Sequence, residues 1–186
     1  MEDDVSRGTD IYIMDLKKEI REIQDYPQKG INFKDLTTLI KNYKAFNFVL
    51  DEVDGYFQNK GITKVVGLEA RGFIFGGAIA GRLKAGFVPI RKKNKLPAKT
   101  ISETYVLEYG EDKIEMHLDA LTEDDVVLIH DDLLATGGTA KAALNMIKKF
   151  GVKKIYFSFI CDLEFIDTEF KKEIHKYDTQ ILVKYS

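Results

Sequence analysis

The sequence has few of the residues that cross-link small folds or hold metal ions. Of its 186 residues only one is cysteine, Cys161, and three are histidine. A single cysteine excludes an internal disulfide framework and a cysteine-based zinc site, and it suits a reducing compartment such as the cytoplasm. A chain of this length buries roughly 70% of the surface that it exposes when unfolded. We therefore expect one domain over residues 1–186, held together by an apolar core.

An excess of charge of one sign and a long apolar run are missing as well. Lysine and arginine total 28 against 30 aspartate and glutamate, so the net charge is −2. That balance lacks the basic excess of a dedicated nucleic-acid-binding protein. The longest uncharged stretch, residues 72–81, has about half the length that a membrane span requires. The first ten residues are acidic and polar and do not resemble a signal peptide. We expect no nucleic-acid partner, no membrane association and a cytoplasmic location.

Apolar runs of strand length alternate with apolar residues at helical spacing. Helices are predicted at 13–25, 43–57, 72–83 and 139–150, and strands at 63–67, 87–90, 126–129, 155–160 and 181–185. Continuous apolar strands separated by helices are typical of a parallel sheet that is covered on both faces. The pattern predicts the α/β class, with a mostly parallel twisted sheet flanked by helices.

Residues 91–118 interrupt this alternation. The segment begins with a cluster of basic residues and continues with Ile114, Met116 and Leu118 at strand spacing. This pattern predicts a hairpin with a long, mobile arm.

The most informative segment is 126–139, in which a buried strand leads into Asp131, Asp132 and a glycine-rich turn. The turn can present backbone N–H groups, threonine hydroxyls and a helix N-terminus to one phosphate. The carboxylates would repel that phosphate, so we expect them to accept hydrogen bonds from the hydroxyls of a ribose on the same ligand. The segment is neither a Walker A loop nor a dinucleotide fingerprint. The predicted phosphate-binding residues are Ala135, Thr136, Gly137, Gly138 and Thr139.

This segment, His-Asp-Asp-Leu-Leu-Ala-Thr-Gly-Gly-Thr, closely resembles the phosphoribosyl-diphosphate motif of type I phosphoribosyltransferases. Three further segments resemble the adenine-specific branch of that family. They are Gly-Leu-Glu-Ala-Arg-Gly-Phe at 67–73, Arg-Lys through Lys-Leu-Pro at 91–97, and Tyr-Val-Leu-Glu-Tyr-Gly at 105–110. The resemblance implies the family's fold, with a flexible hairpin at about 91–118 and an N-terminal hood at about 1–40.

Two residues are candidates for catalysis. Arg71 follows a predicted strand, where its guanidinium can clamp a diphosphate in bidentate fashion. The resemblance implies that Glu108, on the arm, reaches the purine when the arm closes, and that it moves a proton or orients the base. The implied diphosphate-binding residues are Glu69, Ala70, Arg71, Arg91, Lys92, Lys95 and Tyr109.

The resemblance places the base pocket in the hood, at Asn32, Phe33 and Lys34. The aromatic ring can stack on a purine, or it can simply anchor the loop. The family often has arginine where Lys34 stands and an aliphatic residue where Asn32 stands. His130 also replaces the family's usual aliphatic residue, and we expect it to be a packed, hydrogen-bonded residue without a chemical role.

The resemblance implies transfer of the phosphoribosyl group from 5-phosphoribosyl 1-diphosphate to adenine, giving AMP and diphosphate. It further implies Mg²⁺ held mainly by substrate oxygens and water, no metal site made by protein residues alone, and a homodimer. Two alternatives stay open. One is a transferase for hypoxanthine, guanine or xanthine, and the other is a regulator that senses the ribosyl diphosphate.

Overall fold

The computed structural model describes residues 14–106 and 111–186. The chain divides into two compact units, the first ending at Ala45 and the second running from Phe46 to Ser186. Within the described ranges, no helix combines the length and the apolarity needed to cross a bilayer.

The N-terminal unit contains four short elements before the long helix that begins at Tyr43. They are α1 (Leu16–Glu19), β1 (Arg21–Ile23), β2 (Phe33–Asp35) and α2 (Thr37–Lys41). β1 and β2 form an antiparallel ribbon with Glu22 opposite Lys34. The Asp15 side chain caps α1 by accepting a hydrogen bond from the Lys17 N–H, which satisfies a donor that the first turn leaves unpaired.

The second unit is a seven-stranded sheet with helices between its strands. The elements from the long helix onwards are α3 (Tyr43–Phe57), β3 (Lys64–Leu68), α4 (Gly72–Leu83), β4 (Gly86–Lys92), β5 (Thr100–Val106), β6 (Glu111–His117), β7 (Val126–Leu134), α5 (Gly138–Lys148), β8 (Lys154–Leu163), α6 (Glu169–Ile174) and β9 (Thr179–Tyr185). The strand order is β5-β6-β4-β3-β7-β8-β9. Strands β4, β3, β7, β8 and β9 pair in parallel, and the hairpin of β5 and β6 adds antiparallel strands at one edge.

The strand order changes direction between β3 and β7. From β3 the chain builds outwards to β4 on one side, and it later returns to place β7 on the other side. In open α/β sheets a crevice forms at such a point, outside the carboxyl ends of the strands. The segments that follow β3 and β7 are therefore the ones that can build a ligand site.

The core explains why these segments form their elements. In the second unit the central strands are apolar at successive positions and fully buried, including Val66, Leu68, Val127 and Ile129. Helix α5 buries an alanine-rich face, of which Ala143 and Ile147 are completely inaccessible to solvent. A strand with helices on both sides must be apolar throughout, and this is the pattern in the sequence.

The predicted α/β class and mostly parallel sheet are confirmed, and the helices at 43–57 and 72–83 have their predicted bounds. The helix predicted over 13–25 is wrong. Among the described residues 14–25, only Leu16–Glu19 is helical, and Ile20 is already extended because the next three residues pair with β2. The strand predicted over 126–129 continues to Leu134, since β8 pairs with it as far as Asp162. Asp131 and Asp132 consequently lie within the strand.

Candidate functional site

The glycine-rich turn between β7 and α5 forms the base of a small cleft. Gly137 is the N-cap of α5, with φ of +82°, a conformation that glycine adopts without a steric penalty. The Gly138 N–H lies 3.4 Å from Thr136 Oγ1, and Lys141 N–H donates the first helical bond to Gly137. A cleft of about 80 Å³ is lined by Asp131, Leu133, Leu134, Ala135, Thr136, Gly137, Gly138, Thr139 and Ala140.

The acidic pair of β7, Asp131 and Asp132, meets Arg71 at the point where the strand order of the sheet changes direction. Arg71 Nε lies 2.7 Å from Asp132 Oδ2, and Asp132 is almost completely buried. Burial raises the pKa of Asp132, while the Arg71 guanidinium opposes that rise. Burial and the neighbouring Asp132 charge raise the pKa of Asp131 well above its usual value. From the sequence alone, Arg71 and Asp132 are expected to bind different parts of a ligand, whereas here they form an ion pair with each other.

Glycine at position 72 lets α4 approach β7 closely. A Cβ atom there would lie 2.9 Å from Asp131 Oδ1 and 3.1 Å from the carbonyl oxygen of His130. The first distance is shorter than real side chains show and the second is tighter than most, so a larger residue would shift the acidic strand or the start of the helix. Gly72 therefore sets the distance between Arg71 and the carboxylates.

Glu69 is bonded to the beginning of the basic segment, residues 91–95. It accepts a hydrogen bond from the Lys92 N–H at 2.7 Å, and Arg91 Nε lies 3.4 Å from the same carboxylate oxygen. Burial alone would raise the pKa of Glu69, but these two partners lower it below its ordinary value. Arg91 also donates to the carbonyl oxygen of Lys95 at 3.3 Å. The peptide bond between Glu69 and Ala70 is cis.

The end of the hairpin that adjoins residues 107–110 joins the basic segment through Asp112. Lys92 Nζ lies 3.1 Å from Asp112 Oδ2, and the Tyr105 hydroxyl donates to the same oxygen at 3.2 Å. The hydrogen bond to Asp112 raises the pKa of Lys92, which stays protonated. Glu108 and Tyr109 belong to residues 107–110, which lie outside the described ranges.

Two of the three hood residues proposed for the base pocket, Asn32 and Lys34, contact Glu22. Its carboxylate contacts Lys34 Nζ at 2.7 Å and accepts a hydrogen bond from Asn32 Nδ2 at 2.8 Å. The contact with Lys34, followed by that with Asn32, lowers the pKa of Glu22. The Phe33 ring meets Tyr26 edge-on, with centroids 5.2 Å apart. Both residues that depart from the family pattern thus share one acidic partner.

His130 is a packed core residue, as expected. It is completely buried, its Nδ1 lies 3.3 Å from Ser158 Oγ, and its ring meets Phe75 edge-on. Burial lowers its pKa to about 3, so the imidazole is neutral at physiological pH.

Comparison with known proteins decides the family. The model of the phosphoribosyl transferase domain matches residues 35–182. The chain belongs to the phosphoribosyltransferase family. An adenine phosphoribosyltransferase of Bacteroides fragilis is 55% identical over 149 residues, covering 80% of this chain and 84% of that protein. One from Brachyspira hyodysenteriae is 48% identical over 92% of this chain and 100% of its own length. The solved structure of the APRTase of Giardia lamblia, complexed with 9-deazaadenine, is 37% identical with a TM-score of 0.85 and covers 92% and 97% of the two chains.

In this phosphoribosyltransferase the residues predicted to bind phosphate, ribose and diphosphate fall into three groups. The glycine turn and Asp131 share one cleft, Arg71 pairs with Asp132, and Glu69 bonds to Arg91 and Lys92. Lys95 is exposed and contributes a carbonyl oxygen to Arg91. Across residues 14–106 and 111–186, no cluster of three or more histidine, cysteine, aspartate or glutamate residues could hold a metal ion.

Sequence reasoning missed several supporting residues of this phosphoribosyltransferase. Glu22 and Asp112 form ion pairs with Lys34 and Lys92, but nothing in the polar segments around them indicates these contacts. Thr168 donates a hydrogen bond to the carbonyl oxygen of Thr136 at 2.6 Å from 32 residues away. Its position ahead of Glu169 and Lys171 matches an N-cap, a signal that could have located α6 but not its contact with the turn.

Proposed function

We propose that this chain is an adenine phosphoribosyltransferase, which converts adenine and 5-phosphoribosyl 1-diphosphate to AMP and diphosphate, a purine-salvage step. The observation that carries the proposal is the cleft in which Asp131, the first residue of the acidic pair of β7, adjoins the glycine turn at the N-terminus of α5. A ligand with a phosphate beside vicinal hydroxyls suits that pairing of an anion site with hydrogen-bond acceptors. The adenine-specific relatives named above identify the second substrate.

The 5-phosphate binds to the turn in this proposal. Backbone N–H groups of Gly137 and Gly138, the hydroxyls of Thr136 and Thr139 and the positive end of the α5 dipole stabilise the anion together. Asp131 and Asp132 accept hydrogen bonds from the ribose hydroxyls. The raised pKa of Asp131 is consistent with this role, because a carboxyl group that lacks strong donors in the free protein gains them from the sugar.

The diphosphate binds to Arg71 and the start of the basic segment. Arg71 is paired with Asp132 in the free protein, so we infer that it exchanges this partner for the diphosphate when the substrate arrives. Glu69 holds Arg91 and the Lys92 N–H in place, and the Lys95 ammonium adds positive charge nearby. These cations stabilise the negative charge that develops on the leaving diphosphate as the ribosyl carbon acquires oxocarbenium-like character.

Adenine binds to the hood residues Asn32, Phe33 and Lys34 in this proposal. Phe33 stacks on the purine, and Glu22 restrains the two polar residues beside it. Glu108 approaches the base from the arm, which also excludes water that would hydrolyse the diphosphate ester. Glu108 then either accepts a proton from the purine or orients it, and Tyr109 lines the closed site.

Mg²⁺ suits the donors available in this site. The acidic pair supplies carboxylate oxygens, the ligand type that this ion prefers, and the described residues provide no complete protein cage. We propose that the ion is bound mainly through the substrate diphosphate and water. Asp131 and Asp132 then lie close to the ribose of the same substrate. When bound, it supplies further charge neutralisation at the diphosphate.

We also propose that the enzyme is a cytoplasmic homodimer. The family resemblance implies that the basic segment contributes to a diphosphate site partly across a dimer interface. Two exposed apolar side chains support this idea: Ile74 of α4 is 45% exposed and Phe87 of β4 is 37% exposed. A chain with a single cysteine, here buried, suits a reducing compartment.

A base-specificity assay tests the proposed activity. Purified protein, Mg²⁺ and 5-phosphoribosyl 1-diphosphate are incubated with adenine, hypoxanthine, guanine or xanthine, and nucleotide formation is followed by chromatography. We expect turnover with adenine at a kcat/KM at least about a hundredfold above that for the oxopurines, since a site built to bond one exocyclic group rejects another strongly. Preference for an oxopurine would favour the alternative transferase. Binding of the ribosyl diphosphate without turnover of any base would favour the regulator.

A further inference from the structure

The first turn of α6 lies directly behind the glycine turn. Thr168, the N-cap of α6, donates its hydroxyl proton to the carbonyl oxygen of Thr136 at 2.6 Å. The same hydroxyl oxygen accepts a hydrogen bond from the Lys171 N–H at 3.2 Å. A hydroxyl has only one proton to donate. The Thr168 hydroxyl therefore donates to the turn and accepts in the helix cap.

The helix that carries Thr168 is itself anchored in the core. The Lys171 side chain is buried and forms an ion pair with buried Asp162, and its ammonium donates to the carbonyl oxygen of Leu163 at 2.7 Å. Asp162 lies opposite Leu134 in the parallel register of β8 and β7. The anchor of α6 is therefore attached to the strand next to the one that leads into the turn.

The backbone of the turn is pressed against this helix. A Cβ atom on Gly137 would lie 3.2 Å from Lys171 Cγ and 3.3 Å from the Lys171 backbone nitrogen. Because a trans peptide is planar, its C=O and N–H point in opposite directions. The Thr136 carbonyl that accepts from Thr168 consequently turns the Gly137 N–H away from α6.

We propose that Thr168 is a positioning residue, whose hydroxyl holds the Thr136–Gly137 peptide in the orientation that directs the Gly137 N–H to the 5-phosphate. This inference rests on the proposed function of the turn as the phosphate site. It extends that function to a residue outside the motif, on the element that follows the next strand. The bond exists before ligand arrives, so the turn is preorganised for binding.

Three variants test the role of the hydroxyl. Thr168→Val removes it, Thr168→Ser keeps it, and Thr168→Gly removes it with little loss of helix capping, since glycine is a good N-cap. Loss of one hydrogen bond that orients a donor should raise the KM for the ribosyl diphosphate and the Kd for AMP about three- to tenfold. The kcat and the KM for adenine should stay near the parental values, because ground-state and transition-state binding of the phosphate weaken equally. Thr168→Ser should restore the parental constants.

A matched control separates positioning from stability. At the opposite end of α6, Thr179 Oγ1 lies 3.2 Å from the carbonyl oxygen of Ile174 and 3.1 Å from that of Tyr177, so its one proton is donated within this helix end. Thr179→Val should lower the Tm without changing the Kd for AMP by calorimetry. The inference is overturned if Thr168→Gly binds AMP like the parent, if Thr179→Val weakens AMP equally, or if Thr168→Ser fails to restore binding. Failure of the parent to bind AMP at all would instead remove the proposed function on which the inference rests.

Discussion

The surroundings of Asp131 disfavour its charged form in the free protein. Its carboxyl group is close to a second buried acid, and the nearest guanidinium is paired with that second acid, Asp132. Burial and the Asp132 charge raise its pKa well above 3.8. A group with this environment holds its proton in the native state at a pH where the unfolded chain has already lost it. Stability should therefore fall as pH rises from about 4 through the native pKa.

Asp131→Asn should remove this decline. The asparagine keeps the oxygen that accepts the Asp132 N–H at 2.9 Å but carries no charge. We expect the variant to be more stable than the parent at pH 7 and no more stable at pH 4, while its affinity for the ribosyl diphosphate falls at least about tenfold from the loss of charged hydrogen bonds. Urea unfolding at both pH values and calorimetry check this. Exposed Asp124→Asn serves as a control, and an equal pH dependence in Asp131→Asn and the parent would contradict the prediction.

His130 should have the opposite pH signature. Its native pKa is about 3 against an ordinary value of 6.5, so the unfolded chain binds the proton more readily. The contribution of neutral His130 to the free energy of unfolding is therefore full above pH 6.5 and is lost as pH falls towards 3. His130→Ile, which places an aliphatic β-branched side chain in the strand, should lower the midpoint pH of acid unfolding. Circular dichroism over this range measures the midpoint. An unchanged midpoint would show that other groups control acid unfolding.

At the scale of elements, α5 has positive-φ glycines near both ends, and they should differ in function. Gly137 is packed against α6, while a Cβ atom on Gly151, with φ of +67°, would meet nothing within 4 Å. An alanine in the left-handed region costs roughly 1–2 kcal/mol at either site. Gly137→Ala should in addition shift the turn and weaken AMP binding at least about tenfold, because the cradle needs its backbone close to phosphate. Gly151→Ala should bind AMP like the parent in calorimetry. Equal AMP affinities of the two variants would place the phosphate elsewhere.

The hairpin carries the proposed proton-transfer group, Glu108. If this carboxylate acts only on the reacting complex, Glu108→Leu should lower kcat by about 10²–10⁴ with a much smaller rise in the KM for the ribosyl diphosphate. Glu108→Gln keeps the shape and hydrogen bonding but not the basicity. Recovery of most of the rate by glutamine would identify Glu108 as a residue that orients adenine. Parental turnover in both variants would show that Glu108 is an ordinary exposed residue.

The elements also show what a sequence can and cannot predict. The helices at 43–57 and 72–83 follow from apolar periodicity, since their buried faces are formed by local spacing. The predicted helix at 13–25 fails because pairing of Arg21–Ile23 with Phe33–Asp35 depends on a turn that periodicity does not reveal. The glycine turn that we propose as the phosphate site is predictable because one continuous motif carries it. The bonds of Thr168 to Thr136 and of Arg71 to Asp132 join distant segments, so only the fold brings them together.

At the scale of the whole molecule, we expect the second copy in the proposed homodimer to cover the exposed apolar side chains of α4 and β4, Ile74 and Phe87. Ile74 lies three residues after Arg71, so a partner seated on α4 would cover the helix that begins at the site. Exposed apolar side chains of this size are candidates for an interaction site. Burying them in a symmetric contact would also restrain the start of α4, and with it the guanidinium that we assign to the diphosphate.

Ile74→Arg should therefore separate the dimer and reduce activity together. A charge at the centre of an apolar interface costs several times more than it would on open surface, so we expect monomers in sedimentation velocity at micromolar concentration, with kcat/KM for the ribosyl diphosphate lowered at least about tenfold. Phe165→Arg is the matched control, because Phe165 is 63% exposed and lies outside the proposed interface. It should leave both mass and activity unchanged. If the parent itself sediments as a fully active monomer, or if Ile74→Arg remains a dimer, the interface does not lie on α4. If Ile74→Arg is a monomer but keeps the parental activity, the site is complete within one chain.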